Sequence, residues 1–248
     1  MKTVKTAFAV LREISTGEFS LTELANRMGM DKASMHRYLR TLIAEGFVEQ
    51  NPDTRIYKLG LAVIELSGLR LAQMDVVSVA SPHMKELWQA TQETVQLSML
   101  NDHHLLFLHI IESTHSLRFS NRLGDRIPPY YSAAGKLLLA YEPESKLVDY
   151  FSAKIEPLTR KTIVEPERIR RQLTTIRKKG LSYDDGNWID GLRAVAAPIR
   201  NIEGEVIAAI SAGGPTGRVS KDRLTEFGEL LRATAQKISH DLGWPDEN

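Results

Sequence analysis

Residues 20–42 contain the pattern that most limits the fold: two amphipathic helices separated by only a few residues of turn. Ser20, followed three residues later by Glu23, predicts a capping box at the start of the first helix. Gly29 tolerates the left-handed backbone found just past a helix end, so it predicts where that helix stops. Asp31 predicts the N-cap of the second helix. The arrangement is typical of a helix-turn-helix.

The second of these helices has two different faces. Its apolar side contains Met35, Tyr38, Leu39 and Leu42, and its other side contains Lys32, Ala33, His36, Arg37 and Arg40. The whole chain has a formal net charge of only +1, but the segment from Arg27 to Arg40 contains four basic residues and one acid, a local balance of +3. Such a face either lies in solvent or meets a polyanion.

The flanking segments favour DNA. A preceding helix is predicted over Val4–Ser15, and after Gly46 the stretches "FVEQ" and "RIYKLG" flank the turn-forming "NPDT", which predicts a short hairpin. Helix, helix, turn, helix and hairpin form a winged helix-turn-helix, in which the third helix enters the major groove and the wing lies along the backbone. We therefore expect seven residues to contact double-stranded operator DNA: Thr22, Lys32, Ser34, His36, Arg37, Arg40 and Arg55.

Residues 61–74, "LAVIELSGLRLAQM", predict a helix with apolar residues on more than one side. We expect it to connect two domains and to pack against a second copy, giving a homodimer or homotetramer. The predicted organisation is a winged helix-turn-helix over residues 1–62, a linker helix over 63–76 and a sensor domain over 77–248. In the sensor domain, predicted hairpins alternate with helices, which favours an antiparallel sheet with helices packed on it. The predicted fold class is thus α+β.

Composition excludes several other classes of protein. The chain has no cysteine, so disulfides, thiol nucleophiles and thiolate metal sites are excluded. No apolar run approaches the roughly 18 residues of a membrane span, and the N-terminus lacks the pattern of a signal peptide, so we expect a cytoplasmic protein without membrane contact. No P-loop, Rossmann, HExxH or Gly-x-Ser-x-Gly motif occurs, and the adjacent His103 and His104 do not form a metal-ligand pattern. We expect no cofactor, no metal and no catalysed reaction.

Two long segments, "RLGDRIPPYYSAAGKLLLA" and "IRKKGLSYDDGNWIDGLRAVAAPIRNIEGEVIAAISAGGP", resemble the two signatures of the IclR family of bacterial transcriptional regulators. With the winged helix, the resemblance covers essentially the whole chain. It implies a GAF-like mixed α/β domain that binds a small organic molecule. The sequence departs from the family at Gly186, Asn187 and Trp188, where acidic residues are usual, and at Ala194, where some members have Cys.

The resemblance also implies where the effector binds. Small residues at the start of a helix let a carboxylate approach free N–H groups there, although they also permit simple close packing. Asp184 and Asp185 point to opposite faces of a strand, so only one can face a ligand. The expected ligand-binding residues are Ser132, Ala133, Ala134, Asp184, Ala194, Ser211 and Gly213.

These expectations define a ligand-responsive, sequence-specific DNA-binding regulator, a repressor of a catabolic operon that senses a small organic or sugar acid. The alternative is a small-molecule enzyme or binding protein whose winged domain contacts protein. That alternative needs an acid-base or nucleophile set in the second domain, and the sequence contains no recognisable one.

Overall fold

The computed structural model describes residues 2–72, 75–152 and 154–245. The chain divides into two compact units, Met1–Gln73 and Met74–Asn248. Gln73 and Met74, within the predicted linker helix, lie outside the described residues. The boundaries predicted at 62/63 and 76/77 therefore stay predictions.

The N-terminal unit has the element order of a winged helix. Its helices and strands are α1 (Lys2–Ile14), α2 (Leu21–Arg27), α3 (Lys32–Ala44), β1 (Val48–Gln50), β2 (Tyr57–Leu59) and α4 (Ala62–Ala72). The strands pair antiparallel, with Val48 opposite Leu59. Buried apolar side chains from α1, α2, α3 and both strands form one core: Val10, Ile14, Leu24, Ala25, Met35, Leu39, Leu42, Val48 and Tyr57.

The turn between α2 and α3 forms as the sequence predicts. Ser20 and Glu23 form a reciprocal capping box at the start of α2. Gly29 has a φ of 60°, which is the left-handed conformation that glycine adopts without strain. The side chain of Asp31 accepts a hydrogen bond of 2.8 Å from the backbone N–H of Ser34, which caps α3. These local signals fix the orientation of α3 and its polar face.

The C-terminal unit is built on a six-stranded antiparallel sheet in the order β5-β4-β3-β8-β7-β6. Its strands are β3 (Thr94–Asn101), β4 (His104–Ile111), β5 (Arg126–Ile127), β6 (Ser182–Asp185), β7 (Leu192–Arg200) and β8 (Val206–Pro215). Its helices are α5 (Asp75–Thr91), α6 (Ala133–Leu139), α7 (Glu144–Tyr150), α8 (Pro166–Lys179) and α9 (Lys221–Asp241).

The two faces of this sheet pack in separate cores because side chains alternate along each strand. Val95 and Leu97 of β3, with Ile210 and Ala212 of β8, belong to the core that contains α5 and α9. The opposite face packs against α6 and α8 and contains smaller residues, such as Ala196 and Ala209. The sheet is therefore covered by helices on both sides, which confirms the α+β fold.

Gly135 brings the start of α6 close to the preceding segment. A Cβ at this position would overlap the backbone of Pro129, including its carbonyl oxygen. Only glycine therefore allows this approach, which places the N-terminal end of α6 over the small residues of the sheet.

The predicted hairpins and most helices of this unit are present, with two differences. The sequence pattern predicts the turn between β3 and β4 at Asn101 and Asp102, but the turn is centred on Asp102 and His103, both with positive φ. The sequence patterns also predict neither the short helix α7 nor α5, which spans the predicted boundary at residue 77. Pro82 lies inside α5 and normally signals a helix break.

Candidate DNA-binding face and ligand cavity

The polar face of α3 presents cations that form no ion pair with any other described residue. Lys32, Arg37 and Arg40 are exposed. No carboxylate among the described residues pairs with any of the three. By contrast, Arg27 pairs with Glu13 and lies over the ring of Phe19, so its charge is already satisfied. The unpaired charges on α3 are free to meet phosphate or base edges.

Ser34 and His36 lie on the same helix in different situations. His36 is exposed, whereas Ser34 is half-buried beside the cap. The N–H and the hydroxyl of Ser34 both hydrogen-bond the Asp31 carboxylate, and these contacts hold the pKa of Asp31 below its ordinary value. The Ser34 hydroxyl is thus partly committed to the cap.

The remaining two predicted DNA contacts lie on α2 and the wing, where both are exposed. Thr22 is in the first turn of α2. Arg55 lies in the wing turn with a φ of 60°, and its carbonyl accepts a hydrogen bond from the side chain of Gln50. Asn51 stabilises the same turn by accepting from the N–H groups of Asp53 and Thr54. The turn thus holds Arg55 at the tip of the wing.

A buried cavity lies between α6 and the small-residue face of the sheet. The volume open to the centre of a water molecule is only about 20 Å³, enough for about one water. It is lined by Gln96, Leu105, Phe107, Phe119, Ser132, Ala133, Ala134, Asp184, Trp188, Leu192, Ala194 and Ser211. Six of the seven expected ligand-binding residues are therefore brought together. The seventh, Gly213, lies beside Ala194 on the neighbouring strand but does not line the cavity.

Asp184 provides the cavity with a buried carboxylate that is half satisfied. It is 1% exposed, and its Oδ1 accepts a hydrogen bond of 3.0 Å from the N–H of Asn187. Its Oδ2 is buried without a hydrogen-bond partner. Burial raises the pKa of Asp184, and the nearby charge of Lys136 partly opposes that shift. The free oxygen is an acceptor available to a ligand.

Asp185 points away from Asp184, as alternation along a strand requires. Its carboxylate pairs with Arg193 at 2.9 Å and with Lys161 at 3.5 Å. The two neighbouring acids therefore do not form a catalytic pair.

Gln96 adds a second unsatisfied polar group, which sequence reasoning missed. It lies directly across from Ser211 in the register of β3 and β8, and both side chains line the cavity. Gln96 is buried, and its Nε2 has no hydrogen-bond partner. Because a buried amide without a partner is costly, the group indicates a binding function. Its position as a polar residue in an apolar strand is the signal that could have found it.

The N-terminal end of α6 forms the opposite wall. The side chain of Ser132 accepts a hydrogen bond from the N–H of Gly135 at 3.1 Å. Within the part of the chain that the structure describes, no acceptor binds the N–H groups of Ala133 and Ala134. These two donors belong to residues that line the cavity.

Aromatic side chains form part of the wall, and the sequence analysis did not predict them in it. Phe119 and Trp188 stack edge to face, with ring centroids 5.2 Å apart and planes at 81°. Trp188 and Asn187 are two of the positions that depart from the family pattern. Asn187 also donates from its side-chain amide to the carbonyl of Tyr131, which joins the loop after β6 to the segment before α6.

No group of metal-ligating side chains occurs among the described residues, and His103 and His104 lie at the turn between β3 and β4. None of the helices, within those residues, is long and apolar enough to cross a membrane.

A winged helix with an exposed cationic recognition helix, joined in one chain to a domain with a buried polar cavity, defines the class of DNA-binding transcriptional regulators with a sensor domain. Comparison with known families agrees. Residues 3–52 match the IclR helix-turn-helix domain, and residues 69–240 match the bacterial transcriptional regulator IclR C-terminal domain. The chain belongs to the IclR family of bacterial transcriptional regulators.

Individual relatives are similar over nearly the full length. The HTH-type transcriptional regulator KdgR of Escherichia coli is 32% identical, over 99% of this chain and 94% of the relative. The transcriptional repressor IclR of Escherichia coli is 32% identical, over 92% of this chain and 85% of the relative. Among solved structures, an IclR homologue from Microbacterium hydrocarbonoxydans in complex with 4-hydroxybenzoate has a TM-score of 0.83 and 27% identity, covering 95% of this chain and 97% of that chain.

Proposed function

We propose that this regulator is a repressor of a catabolic operon whose DNA binding is controlled by a small organic or sugar acid. One observation carries the sensor half of the proposal: a small cavity in which Oδ2 of Asp184 and Nε2 of Gln96 are buried without hydrogen-bond partners. Buried polar groups are normally satisfied, so a ligand that supplies the missing partners would be bound preferentially. A thermal-shift screen against organic and sugar acids tests the proposal, because a ligand that binds only the folded state raises its stability.

For DNA binding, we assign the exposed face of α3 to the major groove and the wing to the backbone. The unpaired charges of Lys32, Arg37 and Arg40 support this assignment, as does the position of Arg55 at the tip of the wing. Thr22, Ser34 and His36 complete the proposed contacts. A regulator that binds the chromosome also acts in the cytoplasm, which is our proposal for its location.

For the effector, we assign the ligand carboxylate to the N–H groups of Ala133 and Ala134. No cationic side chain lines the cavity among the described residues, so main-chain donors would bear the negative charge. Asp184 and Ser211 would then bind ligand hydroxyls, and Gln96 would donate to another ligand oxygen. The relative with bound 4-hydroxybenzoate, an acid that also carries a hydroxyl, supports this class of effector.

The small volume of the cavity implies that the effector enters by displacing part of the wall. Phe119 and Trp188 are the side chains suited to move aside, because both are only half-buried. They pack against each other in the wall of the cavity. We also propose that the protein catalyses no reaction and uses no cofactor. Among the described lining residues Asp184 is the one titratable side chain, and no histidine or lysine lines the cavity with Ser132 and Ser211.

The proposed effector contacts predict different effects for the two neighbouring aspartates. Asp184→Asn replaces the free acceptor by a donor, so affinity for an effector found in the screen should fall by about 10- to 100-fold, the range expected for losing a hydrogen bond to a charged group. Asp185→Asn, the matched control, should leave that affinity unchanged because Asp185 points away. Isothermal titration calorimetry checks both. Equal affinities for Asp184→Asn and the parent would contradict the assignment.

We further propose that the protein is a homodimer or homotetramer in which α4 contacts a second copy. Apolar side chains at the start of this helix are exposed, with Ile64 66% and Leu61 64% accessible. A single winged domain covers one half-site, so the operator should contain a partial palindrome.

Ile64→Glu should weaken assembly, because burying an unpaired carboxylate in an apolar interface is costly. We expect sedimentation to show smaller species and palindrome affinity to fall by about tenfold or more, the equivalent of at least about 1.4 kcal/mol. Val148→Glu, at an equally exposed apolar position on α7, is the control. A parent protein that sediments as a stable monomer at micromolar concentration and binds one half-site would contradict this proposal.

A further inference from the structure

A second groove in the C-terminal unit lies between α6, α8 and the edge strand β6. It offers about 360 Å³ to the centre of a water molecule and is lined by Lys136, Arg171, Gln172, Thr175, Ile176, Lys179, Leu181 and Tyr183. It shares no lining residue with the ligand cavity described above. Three of the eight lining residues are cationic, and none is acidic.

Lys136 is the least exposed of these cations, at 3%. Among the described residues, its ammonium group makes no hydrogen bond and no ion pair. Burial lowers the pKa of Lys136, and the charge of Asp184 partly opposes that shift. Because a buried ammonium without a close partner destabilises the folded protein, an anion bound in the groove beside Lys136 would stabilise it.

Arg171 and Lys179 place two more unpaired charges at the same groove. Neither forms an ion pair within the described part of the chain. Two other arginines of α8 are paired: Arg168 with Glu165, and Arg170 with Glu144. Arg171 and Lys179 line the groove, whereas Lys178 and Arg177, which lies over the ring of Tyr141, lie outside it.

The groove also contains uncharged hydrogen-bonding groups. Gln172 has a buried Oε1 without a partner, and rotation of its carboxamide would present an NH₂ donor at the same place. Thr175 and Tyr183 also line the groove, but the Thr175 hydroxyl donates to the carbonyl of Arg171 at 3.1 Å. Three cations with one carboxamide donor suit an anion that has several oxygens and more than one negative charge.

We propose that this groove binds a small dianion of the phosphate monoester class, separate from the effector of the main cavity. Lys136 binds the phosphate group from within, and Arg171 and Lys179 bind it from the solvent side. A carboxylate monoanion would leave most of this charge unmatched.

Inorganic phosphate is the probe that tests the site on the full chain. Ionic strength is held constant with sodium chloride, and binding is followed by thermal shift and calorimetry. We expect saturable stabilisation of the parent, and a midpoint shifted to higher phosphate by about tenfold or more in Arg171→Gln/Lys179→Gln, since that variant cannot form two of the charge-assisted hydrogen bonds. Lys178→Gln removes a charge from the same helix outside the groove, and it should keep the parent midpoint.

Arg171 and Lys179 are exposed, so the double variant should fold. Lys136 is buried, so circular dichroism is used to check that the Lys136→Met variant folds. A folded Lys136→Met should lose the phosphate effect. An unsaturable response in the parent, or a double variant with the parent midpoint, would overturn the proposal. So would acetate binding as tightly as phosphate, which would assign the groove to monoanions.

Discussion

Replacing both Arg37 and Arg40 by alanine should abolish specific operator binding at physiological salt. Each arginine that reads a base contributes about 1 to 3 kcal/mol, so losing both should lower affinity by roughly 30-fold to 10⁴-fold. Both side chains are exposed on α3 and have no carboxylate partner among the described residues, so their removal leaves the winged-helix core intact.

The operator for this experiment is recovered by selecting random DNA with the parent protein, and affinities are measured by fluorescence anisotropy over a range of salt concentrations. If the arginines meet only phosphate, specific and non-specific binding should fall together, and the salt slope should shrink by about 1 for each arginine replaced. Arg160→Ala/Lys178→Ala, which removes the same charge from exposed positions in the other unit, is the control. Parent-like operator affinity in both single variants would refute the assignment.

The winged helix could be predicted nearly element by element because its signals are local. Ser20, Glu23, Gly29 and Asp31 each act within three or four residues, and each adopts the predicted role. The predicted hairpins of the sensor domain are present for the same reason. Helix α5 was missed because Pro82 suggests a break locally, whereas tertiary packing of Ala80, Met84 and Leu87 in the core stabilises the helix.

Local sequence patterns do not predict the whole lining of the cavity. Resemblance to a family identified six lining residues from three distant segments, but Gln96, Phe107 and Phe119 come from elements without a signature. Their convergence depends on the strand order of the sheet, which places β3 beside β8. Strand order is a long-range property that neither periodicity nor turn chemistry specifies.

Asn187 and Trp188, which depart from the family pattern, affect the charge and the wall of the cavity. Acidic residues at these positions would add charge beside Asp184. Instead, the side-chain amide of Asn187 donates to the carbonyl of Tyr131, and Trp188 lines the wall. Among the described residues, only one acidic side chain therefore lines the cavity, which favours ligands whose own carboxylate can approach without further repulsion.

Ala134→Trp should abolish the response to the effector while leaving operator binding in its absence close to that of the parent. Ala134 is buried at the start of α6 and lines the cavity, so an indole there would occupy space that a ligand needs. A ligand controls DNA binding only by preferring one conformation of the linked domains, and a filled cavity removes that preference. The winged helix has its own hydrophobic core and carries the proposed DNA-binding face, so its affinity for DNA should be unchanged.

Fluorescence anisotropy with labelled operator measures both properties, using any acid that stabilises the parent in the thermal-shift screen. Because a large side chain can disturb the packing of α6, Ala194→Leu provides a milder filling from the opposite wall, where the side chain is only partly buried. We expect Ala194→Leu to shift the effector midpoint and Ala134→Trp to eliminate the response, whereas Ala194→Cys, which restores the residue found in some family members, should remain responsive. A folded Ala134→Trp protein that responds with the parent midpoint would show that the effector binds elsewhere, because no acid could share the cavity with the indole.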